Sequence, residues 1–299
     1  NEVKQVADTV TVLRDGATVS RLDCATEAIS EDRIVSDMVG RALSDRFPPR
    51  TPKIGDIVFK VRNWNVFHPQ QSDRQIIHNV SLDVRAGEIV GIAGLMGSGR
   101  TELAMSIFGR AYGQKISGEV TLHDQPMDVS TVQRAVASGL AYATEDRKTY
   151  GLVLDDTISR NVSMANLGAV SRAAVMDDQY EDKVAEGYRQ KINIKTPHVQ
   201  QKAVNLSGGN QQKVVLSKWL FTDPEVLILD EPTRGIDVGA KYEIYSLINE
   251  LAAQHKAIIV ISSEMPELLG ISDRIYVMNE GELIGELPLT TLLTTQPDI

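Results

Sequence analysis

The chain has 299 residues, 42% hydrophobic and 24% charged, with a formal net charge of −9. That length holds one large α/β domain plus additional segments. The acidic balance argues against a nucleic-acid partner, which needs a basic face, and no apolar run reaches membrane-spanning length. A single cysteine, Cys24, excludes an internal disulfide and fits a reducing compartment, so a soluble cytoplasmic chain is expected. The five histidines are scattered without metal-ligand spacing.

Taken in order, the chain opens on an echo. Residues 6–22, VADTVTVLRDGATVSRL, and 271–287, ISDRIYVMNEGELIGEL, align in one register: Asp8 with Asp273, Val12 with Val277, Gly16 with Gly281, Leu22 with Leu287. Each reads as strand, glycine turn and returning strand. A shared register over this many positions predicts repetition. On that reading residues 1–22 are the tail of an earlier domain copy, and the chain is the C-terminal part of something larger. Residues 23–55 read as a linker. Within it Ser30, followed by Glu31 and Asp32, opens a short helix whose apolar face is Ile34, Val35, Met38 and Val39. The prolines of Phe47 to Pro52 forbid its continuation.

From Ile57 the alternation of IVFKVRNW and then IIHNVSLDV predicts β-structure. Ala86-Gly87 turns into a strand over 88–92. Gly94, Gly97 and Gly99 follow, and Thr101 opens an amphipathic helix. This stretch fits the phosphate-loop pattern G-x-x-x-x-G-K-[ST] except that Arg100 stands in place of the lysine. Glycines there let backbone N–H groups turn inward around an anion, and the helix dipole favours negative charge. Beyond lie a strand over 118–123, a helix over 129–138, a buried strand over 140–144 and a mostly helical stretch over 157–191. Past Pro197 come a helix over 207–220, a strand over 226–229, a helix over 238–254 and a strand over 257–261. Strands alternating with helices predict a mainly parallel sheet with phosphate-binding loops at the strands' carboxyl ends.

Two constellations bear chemistry. The apolar strand VLIL ends in Asp230 and Glu231. Alone this is a buried strand with an acidic end. Downstream of a phosphate loop, Asp230 and Thr101 suit a Mg²⁺ ion and Glu231 suits an attacking water. The second is Ser207, Gly208, Gly209, Asn210 and Gln211 at a helix start, a further anion-binding terminus. Alone this is a capped helix after a glycine turn; one nucleotide needs no second cradle unless that cradle serves a partner's nucleotide.

Here the chain resembles ATP-binding-cassette ATPases, through LSGGNQQK lying just before VLILDEP. The resemblance implies a nucleotide-binding domain over 56–288: a phosphate-loop core with a mainly parallel sheet, an antiparallel β-subdomain and a helical subdomain over about 152–200. Residues 289–299 are then a C-terminal tail. It further implies ATP and Mg²⁺ as cofactors, with Gly94, Gly97, Ser98, Gly99, Arg100 and Thr101 forming the Walker A loop. Asp230 takes the Walker B position and Glu231 that of the catalytic base. Residues 207–211 take the signature position and Asp237 the D-loop. In such a sandwich dimer each nucleotide lies between one cassette's Walker A and the other's signature.

The phrases TEDRK, DEPTRGIDVGAK and SSEMPEL are similar to those of the second cassette of double-cassette monosaccharide importers of the ribose, xylose and galactose type. The implied partners are a first cassette on the same polypeptide, transmembrane permease subunits and, indirectly, a periplasmic sugar-binding protein, with no nucleic acid. The implied location is peripheral, on the cytoplasmic face of the inner membrane. Leu152, Val153, Leu154, Ile158, Val162 and Met164 are candidates for the permease contact.

Three departures from the family pattern stand together. Arg100 replaces lysine, Glu145 replaces the Q-loop glutamine and Ser263 replaces the switch histidine. The nearest candidates for stacking on adenine are Phe67 and His68. Arginine's planar fork does not substitute for a compact ammonium, and a carboxylate at 145 repels a γ-phosphate. The expectation is a weakened nucleotide site beside an intact signature. The alternative is a non-hydrolytic module that completes its sister's site.

Overall fold

Three short runs, IVGIA, VLILD and AIIVI, are buried at every residue and lie side by side at the centre of the molecule. Strands covered on both faces have no reason to alternate, and these do not. The computed structural model describes residues 6–14, 16–24, 26, 30–39 and 47–288. The six-stranded sheet comprises β5 (Ile89–Ala93), β8 (Leu140–Ala143), β11 (Val226–Asp230), β12 (Ala257–Ile261), β13 (Arg274–Asn279) and β14 (Glu282–Pro288), in the order β14-β13-β5-β12-β11-β8. All pairs are parallel except β13 with β14. Register pairs Asp230 with Ile261 and Ile261 with Ile92. The loops that follow β5, β11 and β12 therefore leave one edge together.

A second, antiparallel sheet contains β3 (Ile57–Phe67), β4 (Gln75–Arg85), β6 (Gln114–Leu122) and β7 (Gln125–Pro126), in the order β4-β3-β6-β7. Trp64 on β3 ties it to the helix Arg100–Ile107 by an indole hydrogen bond to Ser106 Oγ at 2.9 Å. The expected helical stretch over 157–191 is broken. Helices Ile158–Ser163 and Asp178–Lys191 flank a 3₁₀ turn, Met164–Val170, and a hairpin whose corner residues Ala173 and Ala174 have positive φ. No glycine or proline marks that corner, so the sequence signals no break there. The helix Met265–Ile271, with Pro266 in its first turn, also went unread in the sequence.

The N-terminal echo is a structural one. Strands β1 (Thr9–Arg14) and β2 (Ala17–Asp23) pair Val10 with Leu22 and Arg14 with Ala17, with a register shift after Val12. Strands β13 and β14 pair Ile275 with Leu287 and Asn279 with Glu282, with the shift after Val277. Under the sequence alignment these pairings and shifts coincide, and the turn glycines Gly16 and Gly281 have φ of 79° and 81°. Val10, Val12 and Leu22 form a small separate core with Ile34 of the helix Glu31–Val39 packed against it.

The expected linker is not free along its described length after residue 46. The Phe47 ring lies 5.2 Å from that of Tyr245. Arg50 donates to both carboxylate oxygens of Asp273, at 2.7 and 2.8 Å, and to the Gly87 carbonyl at 2.6 Å. Asp273 in turn accepts from the Ile89 amide at 2.8 Å, where the strand feeding the glycine-rich loop begins. The expected tail over 289–299 lies outside the described residues.

Candidate nucleotide and metal site

The loop between β5 and the helix Arg100–Ile107 is shaped by what its glycines exclude. A Cβ on Gly94 would collide with Ser98 Oγ and the Met278 carbonyl, and Gly97 and Gly99 have φ of 81° and 97°. The Gly281 amide donates to the Ser98 carbonyl at 2.9 Å, so the β13–β14 turn buttresses the loop from below. Ser98 Oγ is buried without a hydrogen-bond partner. A buried unpaired hydroxyl costs free energy unless something else answers it, and a bound phosphate oxygen does so.

Asp230 is fully buried at the end of β11. Its Oδ2 accepts from the Tyr142 hydroxyl at 2.9 Å, and the Thr101 side chain beside it favours the ionised form. Burial pushes its pKa up to about 6. Its Oδ1 has no partner. An ionised carboxylate with one oxygen unsatisfied beside a threonine hydroxyl and a phosphate loop fits Mg²⁺. That ion takes few protein ligands and completes its shell with water and phosphate oxygens. Among the described residues no cluster of three or more His, Cys, Asp or Glu is placed to hold a metal by itself.

Glu231 follows at φ 49°, its amide donating to the Ile261 carbonyl at 2.8 Å. Burial raises its pKa, opposed by hydrogen bonding to Ser263 and by the charge of Arg100. Arg100 is itself buried. Its guanidinium donates to the Ser262 carbonyl at 2.6 Å and lies 4.0 Å from Glu231 Oε1. The charge that the loop contributes is thus directed to the end of β12. Glu145 is ion-paired with Arg234, so its carboxylate is answered within the chain. Of the adenine candidates, Phe67 carries the Lys115 ammonium over its ring at 5.5 Å, and the His68 amide donates to the Arg74 carbonyl.

The helix Gly208–Leu220 starts at an exposed N-cap, Ser207. Its hydroxyl caps no amide of the helix and instead accepts from Asn210 Nδ2 at 2.9 Å. Gly209 is required by packing, because its Cβ would meet Ala240 Cβ at 2.8 Å. Asp237 caps the helix Val238–Ala253, accepting from the Ala240 amide at 2.9 Å. Arg147 joins the two regions, reaching Gln211 Oε1 at 3.4 Å and the Arg234 carbonyl at 3.0 Å. Gln211 also donates to the Ala203 carbonyl at 3.2 Å.

A family profile described as ABC transporter matches residues 77–234. The chain belongs to the ABC transporter family. It is 57% identical over 287 residues to the L-arabinose transport ATP-binding protein AraG of Geobacillus stearothermophilus, covering 96% of this chain and 56% of that one. It is 49% identical to the xylose import ATP-binding protein XylG of Thermoanaerobacter pseudethanolicus, covering 97% and 57%. The ribose import ATP-binding protein RbsA of Clostridium perfringens is 48% identical, covering 96% and 55%. The chain therefore spans little more than half the length of these relatives. Its fold is that of solved ABC cassettes. An ATP-binding cassette of an ABC transporter in its ADP conformation superposes with a TM-score of 0.65 at 19% identity, covering 81% of this chain and 96% of that one.

The ABC fold brings the expected Walker A and Walker B residues to one sheet edge, with Ser263 beside Glu231. Sequence reasoning gave no role to Tyr142, Arg147 or Arg234. The last two stand inside phrases that were already distinctive, whereas Tyr142 sits in a strand that reads simply as core. The permease candidates need correction. Leu152, Ile158 and Val162 are buried in the main hydrophobic core and Leu154 is half-buried against it, whereas Val153 and Met164 are exposed. An apolar groove of about 450 Å³ opens instead between that region and the sheet, lined by Phe108, Val136, Tyr142, Tyr150, Met164 and Trp219 among others.

Proposed function

We propose that the chain is the second cassette of a double-cassette ATP-binding protein that energises monosaccharide import, and that its own nucleotide site is the weaker of a pair. The observation that carries the nucleotide reading is a pair of unsatisfied buried oxygens at one sheet edge: Ser98 Oγ in the glycine loop after β5, and Asp230 Oδ1 at the end of β11. Residues 94–101 would hold the phosphates of ATP, and Thr101 and Asp230 would hold Mg²⁺, which when bound would offset charge on the phosphoryl group passed to water. Glu231 orients that water. The 207–211 helix start faces the nucleotide of the sister cassette, and Asp237 lies in the loop between the two sites.

The repeated hairpin supports the double-cassette reading. In the second copy the Gly281 turn holds a phosphate loop through its bond to the Ser98 carbonyl, and the Gly16 turn has the same pairing register and φ. A preceding phosphate loop on the same polypeptide is what such a turn would buttress. Relatives named for import of arabinose, xylose and ribose support a sugar cargo. Permease subunits, and a periplasmic sugar-binding protein acting through them, are the remaining partners. The apolar groove takes a short cytoplasmic helix of the permease. No helix among the described residues is long and apolar enough to cross a membrane. Service to permease subunits would place the chain peripherally, on the cytoplasmic face of the inner membrane.

The second reading, a non-hydrolytic module, is favoured by one observation: Arg100 is tied to Ser262 and stands beside Glu231. Measuring ATP affinity and turnover of the chain alone, with Mg²⁺ and with a chelator, tests both. Mg²⁺-dependent binding with turnover supports hydrolysis, and such binding without turnover supports the module. Absence of binding overturns the nucleotide site.

A further inference from the structure

Tyr142 touches two things that the function separates. Its ring lines the apolar groove, and its hydroxyl holds the carboxylate assigned to Mg²⁺. Strand β8 neighbours β11, and Tyr142 pairs with Ile228, two residues before Asp230. The phenol thus reaches forward along the sheet to Asp230 Oδ2 at 2.9 Å and leaves Oδ1 open. At its other end the ring is 5.7 Å from Phe108, and Phe108 is 5.3 Å from Trp219 in an edge-on arrangement. Both of those rings line the same groove. Trp219, Phe108 and Tyr142 form one continuous packed column from the groove to the metal carboxylate.

Packed interiors shift as units rather than yield locally, so a change in groove packing moves the Tyr142 ring, and with it the hydroxyl that orients Asp230. We propose that Tyr142 is a positioning residue, fixing the Asp230 carboxylate for Mg²⁺ and linking its geometry to the packing of the apolar groove. The phenol is suited to this. Its hydroxyl donates to Asp230 Oδ2 at 2.9 Å while its ring stays packed against Phe108. This inference rests on the reading of Asp230 as the metal carboxylate.

The test uses the 299-residue chain and a methylanthraniloyl-labelled ATP, titrated with Mg²⁺ and separately with EDTA. In the wild type Mg²⁺ tightens binding. In Tyr142→Phe, which keeps the ring and removes the hydroxyl, that Mg²⁺ enhancement falls about tenfold while affinity in EDTA is unchanged, the scale expected for one hydrogen bond to a charged group. Phe108→Leu, which touches no metal ligand, lowers the enhancement in the wild type and adds nothing in Tyr142→Phe, as coupled neighbours do in a double-mutant cycle. Three outcomes overturn the proposal. One is an enhancement in Tyr142→Phe within twofold of wild type. Another is an equal loss in EDTA and Mg²⁺, which marks a merely structural role. The third is a Phe108→Leu effect undiminished in the Tyr142→Phe background. A wild type that binds the probe without any Mg²⁺ enhancement overturns the metal reading of Asp230 and this inference with it.

Discussion

The Arg100 guanidinium donates to the Ser262 carbonyl at 2.6 Å, across the gap between the helix that follows the glycine loop and the end of β12. Its other terminal nitrogen is 4.0 Å from Glu231. A lysine at this position has no fork and is the usual point charge on phosphates in such loops. Arg100→Lys is therefore expected to release the Ser262 contact and tighten ATP roughly tenfold, the worth of one charge-assisted hydrogen bond. Isothermal titration in the presence of Mg²⁺ reads this directly. Unchanged affinity would mean that Arg100 already serves the phosphates when nucleotide is bound.

Asp230 gives a pH prediction with a definite sign. Its pKa is 3.8 unperturbed and about 6 in the fold, because burial penalises the charged form. Between those values the folded chain binds more protons than the unfolded one, so this residue's contribution to stability falls as pH rises through the window. Asp230→Asn keeps an acceptor for Tyr142 and removes the charge. It should stabilise the chain by up to about 3 kcal/mol at pH 8, with the gain shrinking by about 1.4 kcal/mol per unit below pH 6. Urea unfolding at pH 5 and pH 8 checks it. Mg²⁺ enhancement of ATP binding should fade over the same interval, since the proton and the ion compete for one carboxylate.

Much of this site is legible in the sequence because backbone demands act there. Gly94, Gly97 and Gly99 are dictated by collisions and positive φ, and Asp230 sits at the end of a strand whose apolar run is unmistakable. The echo of residues 6–22 in 271–287 reads directly for the same reason: a glycine turn and a fixed pairing register leave a pattern. What stayed hidden was set by tertiary neighbours. Nothing local says that Glu145 will meet Arg234 or that Tyr142 will reach Asp230, because those partners are 89 and 88 residues away in the chain. The hairpin at Ala173 and Ala174 was missed because its corner lacks the residues that usually mark one.

The strap formed by residues 47–55 offers a stability test. Arg50 is the cation that answers the half-buried Asp273 carboxylate, which also accepts from the Ile89 amide. Arg50→Ala leaves that charge short of its partner and removes the contact to the Gly87 carbonyl. A loss of about 2 kcal/mol is expected, between the scales of exposed and buried pairs. The double variant Arg50→Ala with Asp273→Asn should recover part of it. Phe47→Ala acts on the same strap through its contact with Tyr245 and should cost less, because its ring is only partly buried. Denaturant midpoints of the four proteins order these effects, and equal midpoints for wild type and Arg50→Ala would show that the strap contributes nothing to stability.

Ser207 provides the functional contrast with Glu231. It is exposed at the start of its helix, and its hydroxyl is engaged only by Asn210 on the same turn. Ser207→Arg therefore alters little in the isolated chain, whose ATP affinity and melting temperature should match the wild type. In the complete transporter protein the same change puts a bulky cation against the sister cassette's nucleotide, and ATP turnover should fall at least a hundredfold. On the proposed reading, in which the site of Glu231 is the weaker of the pair, Glu231→Gln leaves the sister site intact and should lower turnover only about twofold. Those fold-changes correspond to about 2.7 kcal/mol and about 0.4 kcal/mol of transition-state stabilisation. Steady-state hydrolysis by the two variants decides the matter. If Glu231→Gln abolishes turnover while Ser207→Arg spares it, the stronger site is the one on this chain, and the assignment of roles between the two cassettes is reversed.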